Sequence, residues 1–131
     1  MYFEQLPELG VQCPPAEAFE PNELHVYRLL RGNPPTINDF YSQVKLGTIK
    51  TEGRDDDFVC RAHACSINTS LDAARGLTKL PKFKQHAAVA ALTLSANCGR
   101  ILKGNGSHCD WWIYAACTPL NLITDVLPAK V

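Results

Sequence analysis

Residues 24–30 read LHVYRLL, and residues 31–36 continue as RGNPPT. The first of these segments mixes aliphatic, aromatic and β-branched side chains, which predicts a β-strand. At a period of two, Val26 and the aliphatic stem of Arg28 share one face of that strand. Asn33 precedes a proline and is therefore disfavoured in helical geometry. The chain consequently leaves the strand here and is expected to begin its next element after the proline pair.

Two helices are predicted downstream of this strand. Thr36 is a favourable N-cap, Asp39 follows three residues later, and Val44 lies on the apolar face, so the first helix is expected from Thr36 to about Val44. A capping residue at positions 68–70 is expected to begin the second helix, which would continue to about Leu77.

Several short apolar segments are predicted to complete a sheet. Residues 87–94, AAVAALTL, favour a helix by their alanines but a buried strand by their length and their Val and Thr content, and we interpret them as a strand. Residues 50–57, KTEGRDDD, are polar and predict a surface loop. Because strands and helices do not alternate strictly, the sequence predicts an α+β fold with a small mixed or antiparallel sheet of five or six strands and two or three helices. The remaining predicted strands lie within residues 58–67, 100–103, 110–114 and 120–127.

The length and the composition indicate one domain preceded by an arm. A chain of 131 residues is within the usual range for one domain. Its 46% hydrophobic and 20% charged residues are near the averages of globular proteins. Prolines and glutamates are frequent in residues 1–22, which we interpret as a proline-rich N-terminal arm whose residues 15–19 favour a short helix. Residues 23–131 are expected to form a single α+β domain.

The charge balance and the hydropathy pattern bear on the partners of the chain. Its 13 basic and 13 acidic residues cancel, so no long-range field attracts a polyanion and no nucleic-acid partner is expected. Lys82 lies near Lys79 and Lys84, and we interpret this cluster as a solvated loop. No apolar run reaches about 18 residues, so no membrane span is expected. Glu4 and Glu8 stand where a signal peptide needs positive charge, which predicts a cytoplasmic protein.

Six cysteines are present, and we expect them to be reduced thiols. Disulfides are rare in proteins that lack a secretion signal. Cys60, His63 and Cys65 are the nearest approach to a cluster of metal ligands, but structural zinc sites usually show two tight ligand pairs. No metal is therefore expected.

Three motifs stand in a distinctive order along the chain. They are Tyr27–Arg28 followed by NPPTxxDF at residues 33–40, Ser66–Ile67 followed by Thr69–Leu71 and Ala73–Ala74, and Gly106–His108 followed by Trp111–Trp112. Together they resemble an uncharacterised family of small bacterial proteins with an NPPTxxDF motif, and they extend over most of the chain, from about His25 to Val126. This layout is in turn remotely similar to the ADP-ribosyltransferase fold, which includes toxins of the RES type.

The resemblance implies a site that binds a nucleotide-like small molecule, with NAD as the substrate. Proteins of this fold begin with an arginine or histidine on the first core strand, a position that Arg28 would match as a clamp on the phosphates. A strand that carries Ser or Thr then leads into a helix, which would place Ser66 or Thr69 against the ribose and Ser70 beside them. Tyr27 would offer an aromatic surface for the nicotinamide or the base.

The resemblance further implies cleavage or transfer at the nicotinamide glycosidic bond, as in a toxin or effector of bacterial conflict. His108 or Asp110 would orient the reacting sugar, and Trp111 would be a second stacking surface. Many transferases of this fold place a glutamate on a late strand, whereas no glutamate follows Glu52 in this chain. Asp110 is therefore the acidic candidate near the late motif.

Each of these assignments has a structural alternative. Arg28 in an apolar strand would equally suit an ion pair with Asp39, because a buried charge needs a partner. The hydroxyls of residues 66–70 would equally suit helix caps. Adjacent strand residues face opposite sides, so at least one of Trp111 and Trp112 is expected in the core. The alternative function is a non-catalytic binding or immunity protein that acts through protein–protein contact, for which the proline-rich arm would suit a partner chain.

Overall fold

The computed structural model describes all of residues 1–131 and contains one six-stranded sheet. Its strands are β1 (Leu24–Leu30), β2 (Cys65–Asn68), β3 (Ala88–Leu94), β4 (Gly99–Lys103), β5 (His108–Ile113) and β6 (Ile123–Pro128). Their order across the sheet is β4-β5-β2-β1-β3-β6. Every neighbouring pair is antiparallel. The α+β class and the predicted number of strands are thereby confirmed.

Three short α-helices accompany the sheet, and each begins with a side-chain cap. They are α1 (Gln43–Leu46), α2 (Asp56–Ala62) and α3 (Leu71–Gly76). Ser42, Asp55 and Ser70 accept a backbone N–H from the third residue after each of them. Such caps satisfy amides that would otherwise lack a partner in the first turn. None of the helices has the length and apolarity needed to cross a bilayer.

The helix predicted to begin at Thr36 is interrupted. Residues Ile37–Phe40 form a 3-10 turn, with the Thr36 N–H donating to Asp39 Oδ2 at 2.8 Å in the manner of a capping box. The backbone is then extended at Ser42, whose N–H and hydroxyl donate to the carboxylate of Glu4 at 2.6 and 2.7 Å. This tertiary contact with the N-terminal arm starts a separate helix, and a local pattern cannot reveal it.

Within residues 58–67, which were expected to contain a short strand, residues 58–62 are helical. α2 begins inside the polar segment 50–57, which was expected to be a loop, and β2 begins only at Cys65. The aspartates at residues 55–57 supply the cap and the first turn, where negative charge stabilises the positive end of a helix.

The sheet opens between β1 and β2. These strands pair only at Tyr27 and Asn68, whereas β1 pairs with β3 along its whole length. The side chain of Arg28 bridges the opening, because its Nη1 donates to the Ser66 carbonyl at 2.7 Å. The opening leaves room for a cleft in the middle of the sheet.

The two faces of the sheet have separate apolar clusters. The largest cluster covers one face and includes Val26, Ile67 and Trp111. On the other face, Trp112 packs against α2 and the arm, and a third cluster lies beneath α3. The two tryptophans lie on opposite faces of the sheet, and both are buried. The expectation that at least one of them belongs to the core is therefore confirmed.

The N-terminal arm packs along the sheet edge. Phe19 and Ile101 exchange backbone hydrogen bonds of 2.9 and 2.8 Å, so the arm forms a short bridge with β4. The helix expected over residues 15–19 is replaced by a turn and this bridge, because the backbone of Phe19 is engaged by the strand. The same packing brings Cys13 to α2, where it is disulfide-bonded to Cys60. The expectation that all six cysteines are reduced is therefore wrong, and the other four are free thiols.

Candidate functional site

The guanidinium of Arg28 lies at the opening between β1 and β2. Its Nε donates to the Asp39 carbonyl at 2.8 Å, and its Nη1 donates to the Ser66 carbonyl at 2.7 Å. The Asp39 carboxylate instead accepts the amide hydrogens of Arg31 and Thr36, at 3.1 and 2.8 Å. The ion pair between Arg28 and Asp39 is therefore absent, and no carboxylate neutralises the arginine by direct contact.

Strands β2 and β5 bring a hydroxyl, an imidazole and a carboxylate together. Ser66 pairs with Asp110, and Asn68 pairs with His108, so these four side chains share one face of two adjacent strands. Ser66 Oγ and His108 Nε2 are hydrogen-bonded at 2.7 Å, and Asp110 Oδ1 lies 3.7 Å from the same nitrogen. Because both groups approach Nε2, the carboxylate does not orient the other ring nitrogen as in a Ser–His–Asp triad.

The position of the His108 ring depends on Gly104. The Gly104 N–H donates to the His108 carbonyl at 2.8 Å, which holds the two residues close together. A β-carbon at Gly104 would lie 2.9 Å from His108 Nδ1. The glycine after β4 therefore provides the space that the imidazole occupies.

Asp110 is the least exposed charged group of this cluster. Its side chain is 9% exposed. Burial raises the pKa of Asp110, and His108 and the Arg61 guanidinium oppose that rise. Arg61 is contributed by α2, with Nη1 3.3 Å from Asp110 Oδ2 and Nε 3.4 Å from Asp57 Oδ2. Arg61 thus lies between the carboxylates of Asp57 and Asp110, and its buried Nε has no hydrogen-bond partner.

Two adjoining cavities form a cleft around these side chains. The first, here named the carboxylate lobe, has a volume of about 290 Å³. The second, named the basic lobe, has a volume of about 350 Å³. Arg28, Gln43, Ser66 and His108 line both lobes. The carboxylate lobe adds Tyr41, Phe58, Arg61 and Asp110, and the basic lobe adds Arg31, Asp39, Asn68, Lys82, Phe83 and His86.

The basic lobe has a net positive charge. It is lined by three permanent cations, Arg28, Arg31 and Lys82, and by one carboxylate, Asp39, whose oxygens are bonded to backbone amides. Burial lowers the pKa of His86, and the positive charges of Arg31 and Arg28 lower it further. The lobe is thus an environment that disfavours added positive charge and attracts anions.

Of the residues predicted for the site, four line this cleft. They are Arg28, Ser66, His108 and Asp110, and all of them border the carboxylate lobe. Their convergence depends on the antiparallel register of β2 with β5 and on the opening beside β1.

The other predicted ligand contacts lie outside the cleft. Trp111 is 0% exposed, and its Nε1 donates to a backbone carbonyl at 3.2 Å, so its ring belongs to the core and is closed to a ligand. Tyr27 packs against the cluster beneath α3. Ser70 caps α3, as its structural alternative proposed. The Thr69 hydroxyl faces a backbone carbonyl at 3.4 Å.

Four basic residues of the cleft were not identified from the sequence. Arg61 was missed because the helix α2, on which it lies, was not foreseen in a segment that was expected to contain a short strand. Lys82 was noticed as part of a lysine cluster and was interpreted as a solvated loop. Arg31 and His86 lie on separate segments that meet only in the folded chain. The one available signal was the proximity of Arg31 to the first motif.

No group of three or more His, Cys, Asp or Glu side chains is placed to hold a metal ion. Cys60, which the sequence groups with His63 and Cys65 as possible metal ligands, forms a disulfide with Cys13. Comparisons of this chain with protein-family models, curated proteins and solved structures gave no match. What the cleft can do is therefore inferred from its geometry and its charges.

Proposed function

We propose that the cleft binds a nucleotide of the NAD type that extends over both lobes. The observation that supports this proposal is the convergence of Arg28, Ser66 and His108, which come from three different strands, on one cleft. Small-molecule sites are concave and have volumes of about 300–1,000 Å³. The two lobes, of about 290 and 350 Å³, together fall within this range.

The carboxylate lobe is suited to a ribose with an attached aromatic ring. Ser66 and His108 offer a hydroxyl and an imidazole for sugar hydroxyls. Tyr41 and Phe58 line the same lobe. Phe3 stacks on one face of Tyr41 and the Arg54 guanidinium covers one face of Phe58, so a nicotinamide would stack on the opposite faces of these rings. They take the stacking role that the sequence suggested for Tyr27 and Trp111.

The reaction that this lobe supports is cleavage of the nicotinamide glycosidic bond. Such bonds break through a transition state that resembles an oxocarbenium ion and is stabilised by a nearby carboxylate. Asp110, held by Arg61, is the carboxylate of the lobe. In hydrolysis the carbon–nitrogen bond breaks and its electron pair leaves with neutral nicotinamide. A water oxygen then bonds to the sugar carbon, and its proton passes to the imidazole of His108.

The test measures NAD binding by calorimetry and nicotinamide release by chromatography on the full chain. Asp110→Asn should retain NAD binding and lose nicotinamide release, because the amide carries no charge to stabilise the transition state. Asp125→Asn is the matched control, since Asp125 is exposed on β6 and outside the cleft. A wild-type chain that does not bind NAD at millimolar concentration would rule the proposal out.

The alternative of a protein-binding or immunity module depends on a surface that is open to another chain. The arm considered for that contact is bonded to β4 through Phe19 and to α2 through Cys13. A protein partner that co-purifies in equal amount with a chain unable to bind NAD would favour this alternative.

A further inference from the structure

The phosphates of a bound nucleotide need donors beyond those of Arg28. Its Nε and one hydrogen of its Nη1 are committed to the carbonyls of Asp39 and Ser66. An arginine grips a phosphate most strongly with two parallel N–H bonds. A fork that uses Nε cannot form while the contact with Asp39 is kept. Nη2 and the second hydrogen of Nη1 remain for a phosphate, so we expect the clamp predicted for Arg28 to be completed by neighbouring groups.

The basic lobe contains such groups. Lys82 Nζ lies 5.1 Å from the centroid of the Phe83 ring. That ring packs edge-on against the His86 imidazole, with the ring centroids 5.3 Å apart. The backbone N–H of His86 donates to the Phe83 carbonyl at 3.0 Å. Arg31 faces the same lobe from the end of β1. Neither Arg31 nor Lys82 is engaged in an ion pair, so both charges are available.

We propose that the basic lobe is a phosphate site in which Arg31, Lys82 and His86 contact the pyrophosphate of the ligand. The proposal rests on the proposed function only for the identity of the nucleotide that carries the phosphates. Any pyrophosphate group of fitting size would meet the same cations. Inorganic pyrophosphate is therefore a sufficient probe of the site.

The two lobes also fix the direction in which the ligand lies. Arg28 lines both lobes. The carboxylate lobe adds Arg61 and the Asp110 carboxylate, which offset each other, whereas the basic lobe adds two cations, Arg31 and Lys82, against the carboxylate of Asp39. Like charges repel, so the phosphates favour the basic lobe and the reacting sugar lies next to Asp110. Arg31 and Lys82 are exposed. Salt screens exposed charges over about 10 Å at 0.1 M, so phosphate affinity should fall as salt is added.

The test is calorimetric titration of the full chain with inorganic pyrophosphate at low salt and without divalent cations. Lys82→Ala and Arg31→Gln should each weaken pyrophosphate binding about tenfold, the expected effect of losing one charged hydrogen bond. Lys84→Ala is the matched control, because Lys84 is an exposed lysine of the same segment that does not line the lobe. The affinity of Lys84→Ala for pyrophosphate should stay within about twofold of that of wild type. Thermal unfolding of each variant verifies that the fold is retained.

The outcomes separate this proposal from the proposed function. Absence of pyrophosphate binding, or equal losses in Lys82→Ala and Lys84→Ala, would overturn the phosphate site. NAD binding that is insensitive to Lys82 and Arg31 would also overturn it while leaving the proposed function standing. Pyrophosphate binding that requires Lys82, in a chain that does not bind NAD, would keep the phosphate site and contradict the proposed function.

Discussion

Ser66 Oγ and His108 Nε2 lie 2.7 Å apart, although the two residues are 42 positions apart in the chain. They meet because β2 and β5 pair with Ser66 opposite Asp110, which places the diagonal neighbour His108 within reach. The hydrogen bond joins two strands in the wall shared by both lobes of the cleft. A change that moves the imidazole should therefore disturb the site while the rest of the sheet stays paired.

Replacing Gly104 by alanine should move the His108 ring. The added β-carbon would lie 2.9 Å from His108 Nδ1, well inside the optimal separation of about 3.5–4.0 Å between carbon-sized atoms. The ring must shift, and we expect this shift to disrupt its hydrogen bond with Ser66. We expect NAD affinity to fall about tenfold, as for the loss of one ligand contact. Calorimetry measures the affinity, and the NMR signals of the His108 ring report its position.

Gly32→Ala is the control for this experiment, since a β-carbon at Gly32 meets no atom within 4 Å. It should leave both the affinity and the His108 ring signals unchanged. Ring signals that are also unchanged in Gly104→Ala would contradict the placement of the imidazole beside this glycine.

Stability should depend on pH through Asp110. Burial raises the pKa of this carboxyl above its ordinary value of 3.8. Between the two pKa values the folded chain keeps a proton that the unfolded chain has lost, so the contribution of Asp110 to stability falls as the pH rises through that window. Asp110→Asn abolishes the titration. The unfolding temperature of the variant, relative to that of wild type, should therefore increase as the pH is raised above 3.8, the ordinary pKa of this carboxyl.

Thermal unfolding at closely spaced pH values measures this difference. Loss of the contact with Arg61 shifts the unfolding temperature of the variant by an amount that does not depend on the titration of Asp110. The change of the difference with pH therefore reports that titration. A difference that stays constant, or that falls with rising pH, would mean that the pKa of Asp110 is not raised.

Much of the sheet follows from local sequence pattern, because an apolar segment bounded by prolines or glycines has few other ways to bury its side chains. β1 has the predicted bounds, and β3 occupies Ala88–Leu94 within the predicted segment. The helix α2 was not foreseen because its cap and first turn come from aspartates in a segment that is polar throughout. The break at Ser42 depends on Glu4, which is remote in sequence.

The site was predictable only in part, for a related reason. Residues on short apolar strands, such as Arg28 and His108, stand out by their polarity. Which face a strand residue takes depends on its register with neighbouring strands, and a shift of one position reverses it. Trp111 therefore fell in the core rather than in the cleft. Lys82 and His86 reach the cleft through tertiary packing, for which the sequence carries no periodic signal.

Reducing agents should destabilise the fold through the bond between Cys13 and Cys60. The bond closes a loop between residues 47 positions apart, and such a cross-link stabilises a fold by about 2–4 kcal/mol. Cys13→Ser should lower the free energy of unfolding by that amount, and dithiothreitol should affect wild type but not the variant. Denaturant unfolding measures both effects. Alkylation in denaturant without reductant should label four cysteines, since three of the four free thiols are buried in the folded chain, and labelling of all six would contradict the bond.

Anion binding in the basic lobe should strengthen as the pH falls, through His86. Burial and the charges of Arg31 and Arg28 lower the pKa of His86 below its ordinary value of 6.5 in the free protein. A bound anion offsets the cations and raises that pKa. Between the free and bound values binding takes up a proton, so affinity increases with acidity. Sulfate is the suitable probe, because its own charge is constant over the range from about pH 5 to pH 8 in which histidine titrates.

Calorimetry of sulfate binding in buffers of different ionisation enthalpy measures the proton uptake directly. Only histidine ordinarily changes charge in this range, so the other charged groups facing His86, namely Arg28, Arg31, Lys82 and Asp39, act as a constant field. His86→Asn should bind sulfate more weakly at low pH and with a flat pH dependence. His108 lines the same lobe, and His108→Asn should keep the pH dependence if His86 is its source. A pH dependence of sulfate affinity that disappears in His108→Asn and survives in His86→Asn would show that His108 takes up the proton. That result would remove His86 from the phosphate site.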